Sequence, residues 1–171
     1  MTSVLKVDTI QSSGGTTGLT IGSNGLIKPK NVAFQFKATD TDQSIGNNAT
    51  KVEWETVELD TGSYWDSTNH RYTPQVAGWY KFAGVIRFSV ASPMKYANTG
   101  IYKNGSLQFR NQLQLQNDEI KSGEIMIATG LVQLNGSSDY VECFAQFDHT
   151  TTVHDSSSVA SVFYGMLVHA T

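Results

Sequence analysis

The chain has 171 residues, of which 16% are charged, well below the roughly 25% of an average soluble domain. Its formal net charge is −3 and its Lys and Arg residues are scattered, so a basic surface for nucleic acid is not expected. With 39% hydrophobic and 11% aromatic residues the chain can bury the core of one domain, and its low charge favours an all-β protein.

The first thirty residues differ in composition from the rest of the chain. They contain no aromatic residue, and short β-like pieces alternate with turn signals such as Ser12–Gly15 and Ser23–Gly25. Such a segment cannot build a core, so it is disordered, docks on another protein or pairs with copies of itself. The proline at Lys28-Pro29-Lys30 marks the boundary, which predicts an extended segment of residues 1–30 and a domain of residues 31–171. The candidate attachment residues of the segment are Leu5, Val7, Ile10, Leu19 and Ile21.

From Asn31 onward the pattern consists of strands and turns. The predicted strands, in chain order, span residues 33–37, 51–59, 78–89, 100–103, 123–134, 140–147 and 159–168. Asn104-Gly105 is a hairpin signal, and Asn135–Ser138 closes another strand. Residues 108–119 could form either a helix or a strand and loop. Short strands at this regular spacing predict a β-sandwich or jelly roll.

The single cysteine, Cys143, excludes an internal disulfide, and its alternating apolar surroundings indicate a buried side chain. No apolar run approaches the roughly 18 residues of a membrane span, so membrane insertion is not expected. Residues 1–8 lack a continuous hydrophobic stretch and include Asp8, which argues against a secretory signal. We therefore expect synthesis in a cytoplasm without export by the usual route.

Metal-ligating residues occur only in small groups. His149 and His154 would point to opposite faces of a strand, and on a loop they lack a nearby Cys or Glu to complete a metal site. Asp40 and Asp42 could ligate calcium, although a plain turn is the preferred interpretation. We therefore expect no metal and no cofactor.

Sequence motifs for catalysis are also missing. Asp118-Glu119 has no partner acid nearby in sequence and is interpreted as a solvated bend. The chain has neither a Gly-x-Ser-x-Gly elbow nor a glycine-rich phosphate loop that opens a helix. The sequence therefore predicts a protein that is not an enzyme.

Two features predict interaction surfaces. Tyr64 and Trp65 lie at a turn, where they either pack in the protein or contact a host-surface ligand. The last strand is apolar on both faces, with Phe163, Gly165 and Leu167 on one of them. A solvent-facing side should be polar, so the opposite face predicts contact with a neighbouring subunit. The candidate trimer-interface residues on that face are Val162, Tyr164, Met166 and Val168.

Four collinear pieces of the chain resemble the C1q branch of the C1q/TNF superfamily. In the first, residues 64–82, Pro74 and Gly78 form a corner that enters Gly-x-Tyr-x-Phe. The other three pieces span residues 101–105, 130–142 and 163–168. The resemblance implies an all-β jelly-roll β-sandwich of about ten antiparallel strands that assembles as a homotrimer. The chain lacks the collagen-like stalk of the vertebrate members, and residues 1–30 stand in its place.

Residues 5–10 and 17–25 are similar to the openings of tail-fibre and other virion proteins of marine phages. This second resemblance implies a virion protein assembled in the host cytoplasm. The expected partners are further copies of the chain, other virion proteins through residues 1–30, and a host cell-surface glycan or protein bound by the head. Three alternatives remain open: a capsid decoration or cement protein, a tail adaptor without receptor binding, and, least favoured, a glycan hydrolase.

Overall fold

The computed structural model describes most of the chain, and the description below concerns those residues. They are residues 7–15, 17–21, 23–25, 27–29, 31–38, 43–89, 94–116, 125–153 and 161–171. The chain divides into two compact units, Met1–Asn31 and Val32–Thr171. The second unit is called the head below.

The first unit contains a small antiparallel sheet of three strands. Its strands are β1 (Thr9–Gln11), β2 (Thr17–Ile21) and β3 (Ile27–Pro29), in the order β1-β2-β3. Gly15 and Gly25, at φ 78° and 75°, lie in the two connections, where a left-handed backbone favours glycine. Ile10 lies opposite Leu19, and Ile21 follows two residues later on the same face of β2.

The described part of the head consists of antiparallel strands in two sheets. In chain order they are β4 (Ala33–Lys37), β5 (Gln43–Ile45), β6 (Thr50–Lys51), β7 (Thr56–Asp60), β8 (Trp65–Asp66), β9 (Arg71–Tyr72), β10 (Ala77–Ser89), β11 (Tyr96–Lys103), β12 (Ser106–Gln114), β13 (Ile125–Asn135), β14 (Val141–Phe147), β15 (Thr151–Val153) and β16 (Val162–Ala170). The first sheet has the order β5-β15-β10-β16-β4-β7, with β13 also paired to β10. The second has the order β12-β11-β14-β9-β8, with β6 paired to β14.

Aromatic side chains fill the space between the two sheets. Phe34 of β4 lies at the centre, with ring centroids 4.0 Å from Tyr72 and 5.0 Å from Phe163. Tyr80 and Phe82 of β10 are fully buried, and their rings are 5.9 Å apart. Ile86 and Phe88 of the same strand are also fully buried, so these four side chains share the inner face of β10.

The prediction of one strand over residues 51–59 is wrong. β6 belongs to the second sheet and β7 to the first, and the chain crosses between the sheets from residue 52 to residue 55. The Val52 N–H donates to Cys143 O in the second sheet, and the Glu55 N–H donates to Lys37 O in the first. Val52 and Trp54 are buried at the crossing. An alternating pattern therefore continues through the crossing, because every second side chain still enters the core.

The other ambiguous segment, residues 108–119, is a strand where the structure describes it. Residues 108–114 belong to β12, which pairs with β11 through the predicted turn. Asn104 and Gly105 of that turn have φ values of 51° and 75°, as a two-residue hairpin requires. The helical alternative is therefore wrong for residues 108–114.

Cys143 packs against the backbone of the facing sheet. A Cβ atom on Gly84 would come within 2.4 Å of its Sγ, so only a glycine lets the strands approach this closely. Burial raises the pKa of the Cys143 thiol to about 12, and its contact with the Thr99 hydroxyl, at 3.9 Å, offsets this only in part. The thiol therefore stays protonated in the folded head, as the sequence predicts for a buried side chain.

Replacing Phe82 by alanine should destabilise the head by about 3–5 kcal/mol, because it removes a fully buried ring from the aromatic cluster. Urea unfolding followed by tryptophan fluorescence measures the change. Gln108→Ala, at an exposed position of β12, is the control and should stay within about 0.5 kcal/mol of the parent. A Phe82→Ala midpoint equal to that of the control would show that the core does not depend on this ring.

Stability should decrease at alkaline pH. The Cys143 thiol has a raised pKa in the folded head, so its contribution is complete below the unfolded pKa of about 9 and is lost as pH rises through about 12. Burial also raises the pKa of Tyr80 to about 12, which acts in the same direction. Urea midpoints between pH 8 and 11 should therefore fall less steeply for Cys143→Ala than for the parent. Parallel curves would contradict the buried thiol.

Candidate interaction surfaces

The predicted trimer-interface residues lie on the outer face of the first sheet. β16 alternates as expected, with Phe163 and Gly165 buried towards the core. On the other side Val162 and Tyr164 are half-buried, whereas Met166 and Val168 are 49% and 58% exposed. The structure thus leaves two large apolar side chains of the last strand in solvent.

Neighbouring strands extend this surface with residues that the sequence analysis did not select. Trp79 on β10 and Ile125, Ile127 and Leu131 on β13 are between 41% and 56% exposed. Together with Met166 and Val168 these four residues are called the apolar face. Their signal was present in the sequence, because Ile125-Met126-Ile127-Ala128 lacks polar alternation in the same way as the last strand. A sheet face exposed to water normally carries polar residues, so the apolar face is suited to contact with another protein surface.

Strand pairing gives the arrangement of the apolar face. Lys81 lies in register between Leu131 and Met166, while Val85 lies between Ile127 and Val162. Arg87 lies in register beside Ile125. The surface therefore combines apolar side chains with two cations. A partner surface that covers it must accommodate the Lys81 ammonium and the Arg87 guanidinium as well as the apolar side chains.

Tyr64 and Trp65 are held against the core. The carboxylate of Asp60 accepts hydrogen bonds from the Trp65 N–H at 2.9 Å and from the Gly62 N–H at 3.3 Å, which orders the turn. The Trp65 ring lies 4.1 Å from the ring of Phe36, and both turn aromatics are half-buried. Packing therefore accounts for their presence at the turn, and a role in ligand contact stays a prediction.

Gly78, the second residue of β10, is required by its surroundings. A Cβ atom there would lie 2.3 Å from His169 O and 3.0 Å from Ala170 Cα, so any larger residue would displace the end of β16. Two residues later, the Tyr80 hydroxyl donates a hydrogen bond to Val76 O at 2.8 Å. The motif Gly-x-Tyr therefore fastens the corner to the first sheet.

A polar cavity of about 260 Å³ lies beside the two hairpin turns and includes Asp139 and Lys103 in its lining. Desolvation alone would raise the pKa of Asp139, but hydrogen bonds from Lys103, Asn104 and the Asn135 N–H together lower it. Lys103 Nζ lies 2.8 Å from the carboxylate, and Asn104 Nδ2 donates to it at 2.7 Å. Asp139 thus joins the turns at Asn104 and Asn135, which is a structural role.

The candidate metal and catalytic residues are only partly within the described chain. His149 Nδ1 lies 2.9 Å from a carboxylate oxygen of Asp148, whose other oxygen accepts the Lys95 N–H. No group of three metal-ligating side chains occurs among the residues that the structure describes. The candidates His154, Asp40, Asp42, Asp118 and Glu119 lie outside the described residues. In that described part, no helix is long and apolar enough to cross a membrane.

The candidate attachment residues of the first unit are partly exposed. Ile10 is 53% exposed, and its strand partner Leu19 is half-buried, as are Ile21 and Val7. Leu5 lies outside the described residues. A sheet of three short strands cannot enclose these side chains by itself, so attachment through them stays a prediction.

Comparisons with known proteins identify the fold. No protein-family model and no curated sequence matches the chain. Among solved structures, murine APRIL covers 81% of this chain and 99% of its own, with a TM-score of 0.60 and 11% identity. The globular domain of zebrafish complement 1qA covers 82% of this chain and 99% of its own, with a TM-score of 0.53 and 14% identity. The all-β architecture and these two neighbours together show that the head has a C1q/TNF-like jelly-roll fold.

Proposed function

We propose that this chain is a phage virion structural protein, of tail-fibre or spike type, whose head assembles as a homotrimer and binds the host surface. Residues 1–30 anchor it to the particle. The observation that carries the proposal is the apolar face, a solvent-exposed surface on three neighbouring strands of a jelly-roll head. No enzymatic activity is proposed.

The apolar face supports self-association on energetic grounds. Its six side chains are 41% to 58% exposed in the single chain. Complete burial of a large apolar side chain contributes about 1.5–3 kcal/mol, so covering what remains exposed contributes about half of that for each residue. Several kcal/mol per subunit is comparable with the stability of an ordinary domain. A surface of this kind is therefore expected to be covered.

A ring of three subunits needs a second surface that contacts the apolar face of the next copy. The edge formed by β12 and β13 is suited to this role, because β12 has only β11 and β13 only β10 as described partners. Phe109 of β12 is half-buried beside Gly130 of β13. This edge therefore offers an apolar ring and unpaired backbone groups to a neighbouring subunit.

The proposed anchor role rests on the separate first unit and on the resemblance of residues 5–10 and 17–25 to virion proteins of marine phages. Ile10 is exposed on a sheet too small to form its own core. Covering it with a particle protein, or with the same segment of the other two chains, would bury that surface.

A decoration or cement protein is the second candidate, because an apolar face could also dock on a capsid. Electron microscopy of intact particles distinguishes the two: a tail-fibre head points outward, whereas a cement protein is covered by other subunits.

The parent protein should be a trimer at micromolar concentration, and Met166→Asp should dissociate it, because the carboxylate would be buried in the interface without a partner. Light scattering coupled to gel filtration measures the mass. Val57→Asp is the matched control, because Val57 is 50% exposed but lies on β7, away from the three strands of the apolar face. A monomeric parent protein, or a trimeric Met166→Asp variant, would contradict assembly through this surface.

Deleting residues 1–27 should leave a trimeric head with a melting temperature near that of the parent, because the head has its own core. The truncated protein should no longer enter particles. Calorimetry, light scattering and quantitative immunoblotting of purified particles test the three points. A truncated chain that fails to fold, or one incorporated at normal copy number, would show that the segment is not a separate anchor.

A further inference from the structure

The outer face of the second sheet has a composition different from that of the apolar face. On β11 the side chains of Ala97, Thr99 and Ile101 are fully buried towards the core. The intervening residues therefore point outward, as do Phe144 and Gln146 between the buried positions of β14. The resulting surface, called the platform below, consists of Tyr96, Asn98, Gly100, Tyr102, Phe144, Gln146 and the adjacent Arg110.

Two aromatic rings are stacked on each other on the platform. The ring centroids of Tyr102 and Phe144 are 4.3 Å apart with an angle of 39° between the planes, and both residues are half-buried. The rings of Tyr and Phe provide a flat apolar surface with a negative face, which attracts polarised C–H groups. A pyranose ring has such a C–H face, and the outer ring face of a stacked pair can accept it.

Gly100 allows the side chains around it to come together. It lies in register between Phe144 on β14 and Arg110 on β12. A Cβ atom at this position would lie 3.2 Å from Tyr102 Cε2, 2.9 Å from Leu107 Cδ1 and 3.5 Å from Arg110 Cβ. The Tyr102 ring, the Leu107 side chain and the Arg110 stem therefore form one continuous surface over the glycine.

Next to the rings, the amide groups are held in place before any ligand binds. Asn98 Nδ2 donates to the Tyr96 hydroxyl oxygen at 2.9 Å and to Gln146 Oε1 at 3.1 Å. The Tyr96 hydroxyl donates to the same Gln146 oxygen at 3.1 Å, and Gln146 Nε2 donates to Asn47 O at 2.7 Å. Asn98 is 8% exposed, so this network is fixed by its surroundings. Ordered amides beside aromatic rings can hydrogen-bond sugar hydroxyls at a low cost in side-chain entropy.

The charge on the platform favours an acidic ligand. Glu142 lies in register beside Tyr102 and Lys51 beside Phe144. The two form an ion pair of 3.0 Å, so their charges neutralise each other. Arg110 is exposed and forms no ion pair with any carboxylate of the described residues. A guanidinium binds a carboxylate through two parallel hydrogen bonds, so Arg110 is suited to the carboxylate of a uronic acid.

From the ring pair, the ordered amides and the adjacent cation we infer that the platform binds an acidic polysaccharide with carboxylate-bearing pyranose units. This inference deepens the proposed function, since it names the ligand class of the host-binding head and requires that trimer formation leave the outer face of the second sheet exposed. The Tyr102 ring stacks on the sugar ring, and Phe144 supports it from behind. Arg110 binds the carboxylate, and the Gln146 amide, held in place by Asn98 and Asn47, binds a hydroxyl with its second N–H.

Affinity electrophoresis of the full chain in gels containing alginate, a polyuronate, tests the inference against gels containing neutral dextran. The parent protein should be retarded by alginate, with an apparent Kd at least tenfold lower than in dextran. Arg110→Gln and Tyr102→Leu should each raise the apparent Kd for alginate about tenfold or more. Tyr102→Leu keeps an apolar side chain but removes the ring, so it separates stacking from simple burial.

Lys37→Gln is the matched control, because it makes the same charge change on the first sheet and should leave retardation unchanged. Melting temperatures must confirm that each variant is folded. A second pair of variants, Phe144→Leu and Arg110→Lys, replaces any variant that does not fold. No retardation of the parent by alginate, equal retardation by dextran, or unchanged retardation of folded platform variants would each overturn the inference.

Light scattering on the same samples separates this inference from the trimer proposal. A trimer that does not bind alginate overturns the polysaccharide site and leaves assembly intact. A monomer that binds alginate, with binding lost in Arg110→Gln, overturns assembly through the apolar face and leaves the polysaccharide site intact.

Discussion

The head depends on aromatic rings packed against glycine residues of the first sheet. A Cβ atom on Gly165 would come within 2.7 Å of Phe34 Cε1 and Phe82 Cδ1, so β16 can pass between these rings only as bare backbone. In the same way, the missing side chain of Gly84 leaves room for the Sγ atom of Cys143 from the second sheet. Protein cores are packed as densely as crystals of small organic molecules, so a methyl group at either position would have to displace a ring or a strand.

The two outer faces of the sandwich differ in composition, although the strands of both sheets alternate in the same way. Each strand sends every second side chain into the core and leaves the others to form the surface. On the first sheet those remaining residues include large apolar side chains, such as Ile127 and Met166, whereas on the second sheet they are mainly amides, aromatic rings and a cation. One surface is therefore suited to burial against protein, and the other to a ligand that remains in water.

Much of the fold could be predicted from the sequence, because alternation and turn residues are local signals. The strand register of β10, the hairpin at Asn104-Gly105 and the two-faced last strand follow from such signals. The crossing at residues 52–55 could not be predicted in this way, since a segment that changes sheets while burying every second residue has the pattern of one strand. Local patterns specify which side chains are buried, but not which sheet receives the backbone hydrogen bonds.

The surfaces were less predictable than the fold, because they arise where distant strands become neighbours. The apolar face needs β13 beside β10, and the platform needs Phe144 beside Gly100, which are 44 positions apart by their numbers (144 − 100). Tyr64 and Trp65 show the same dependence. Their turn position left packing and ligand contact both open, and in the structure Trp65 packs on Phe36 from a different part of the chain. Exposure of an aromatic residue thus depends on pairings that the local sequence does not contain.

The position of β4 has a mechanical consequence for a head carried on a tether. Tension transmitted along the chain from residues 1–31 enters the head at β4, which is hydrogen-bonded to β16 on one side and to β7 on the other. A pull along the axis of a strand held on both sides loads its hydrogen bonds together in shear rather than opening them one at a time. Rupture then requires many bonds to fail at once, which slows forced unfolding. Pairing on both sides therefore gives the head resistance to force at the strand where such a tether would pull.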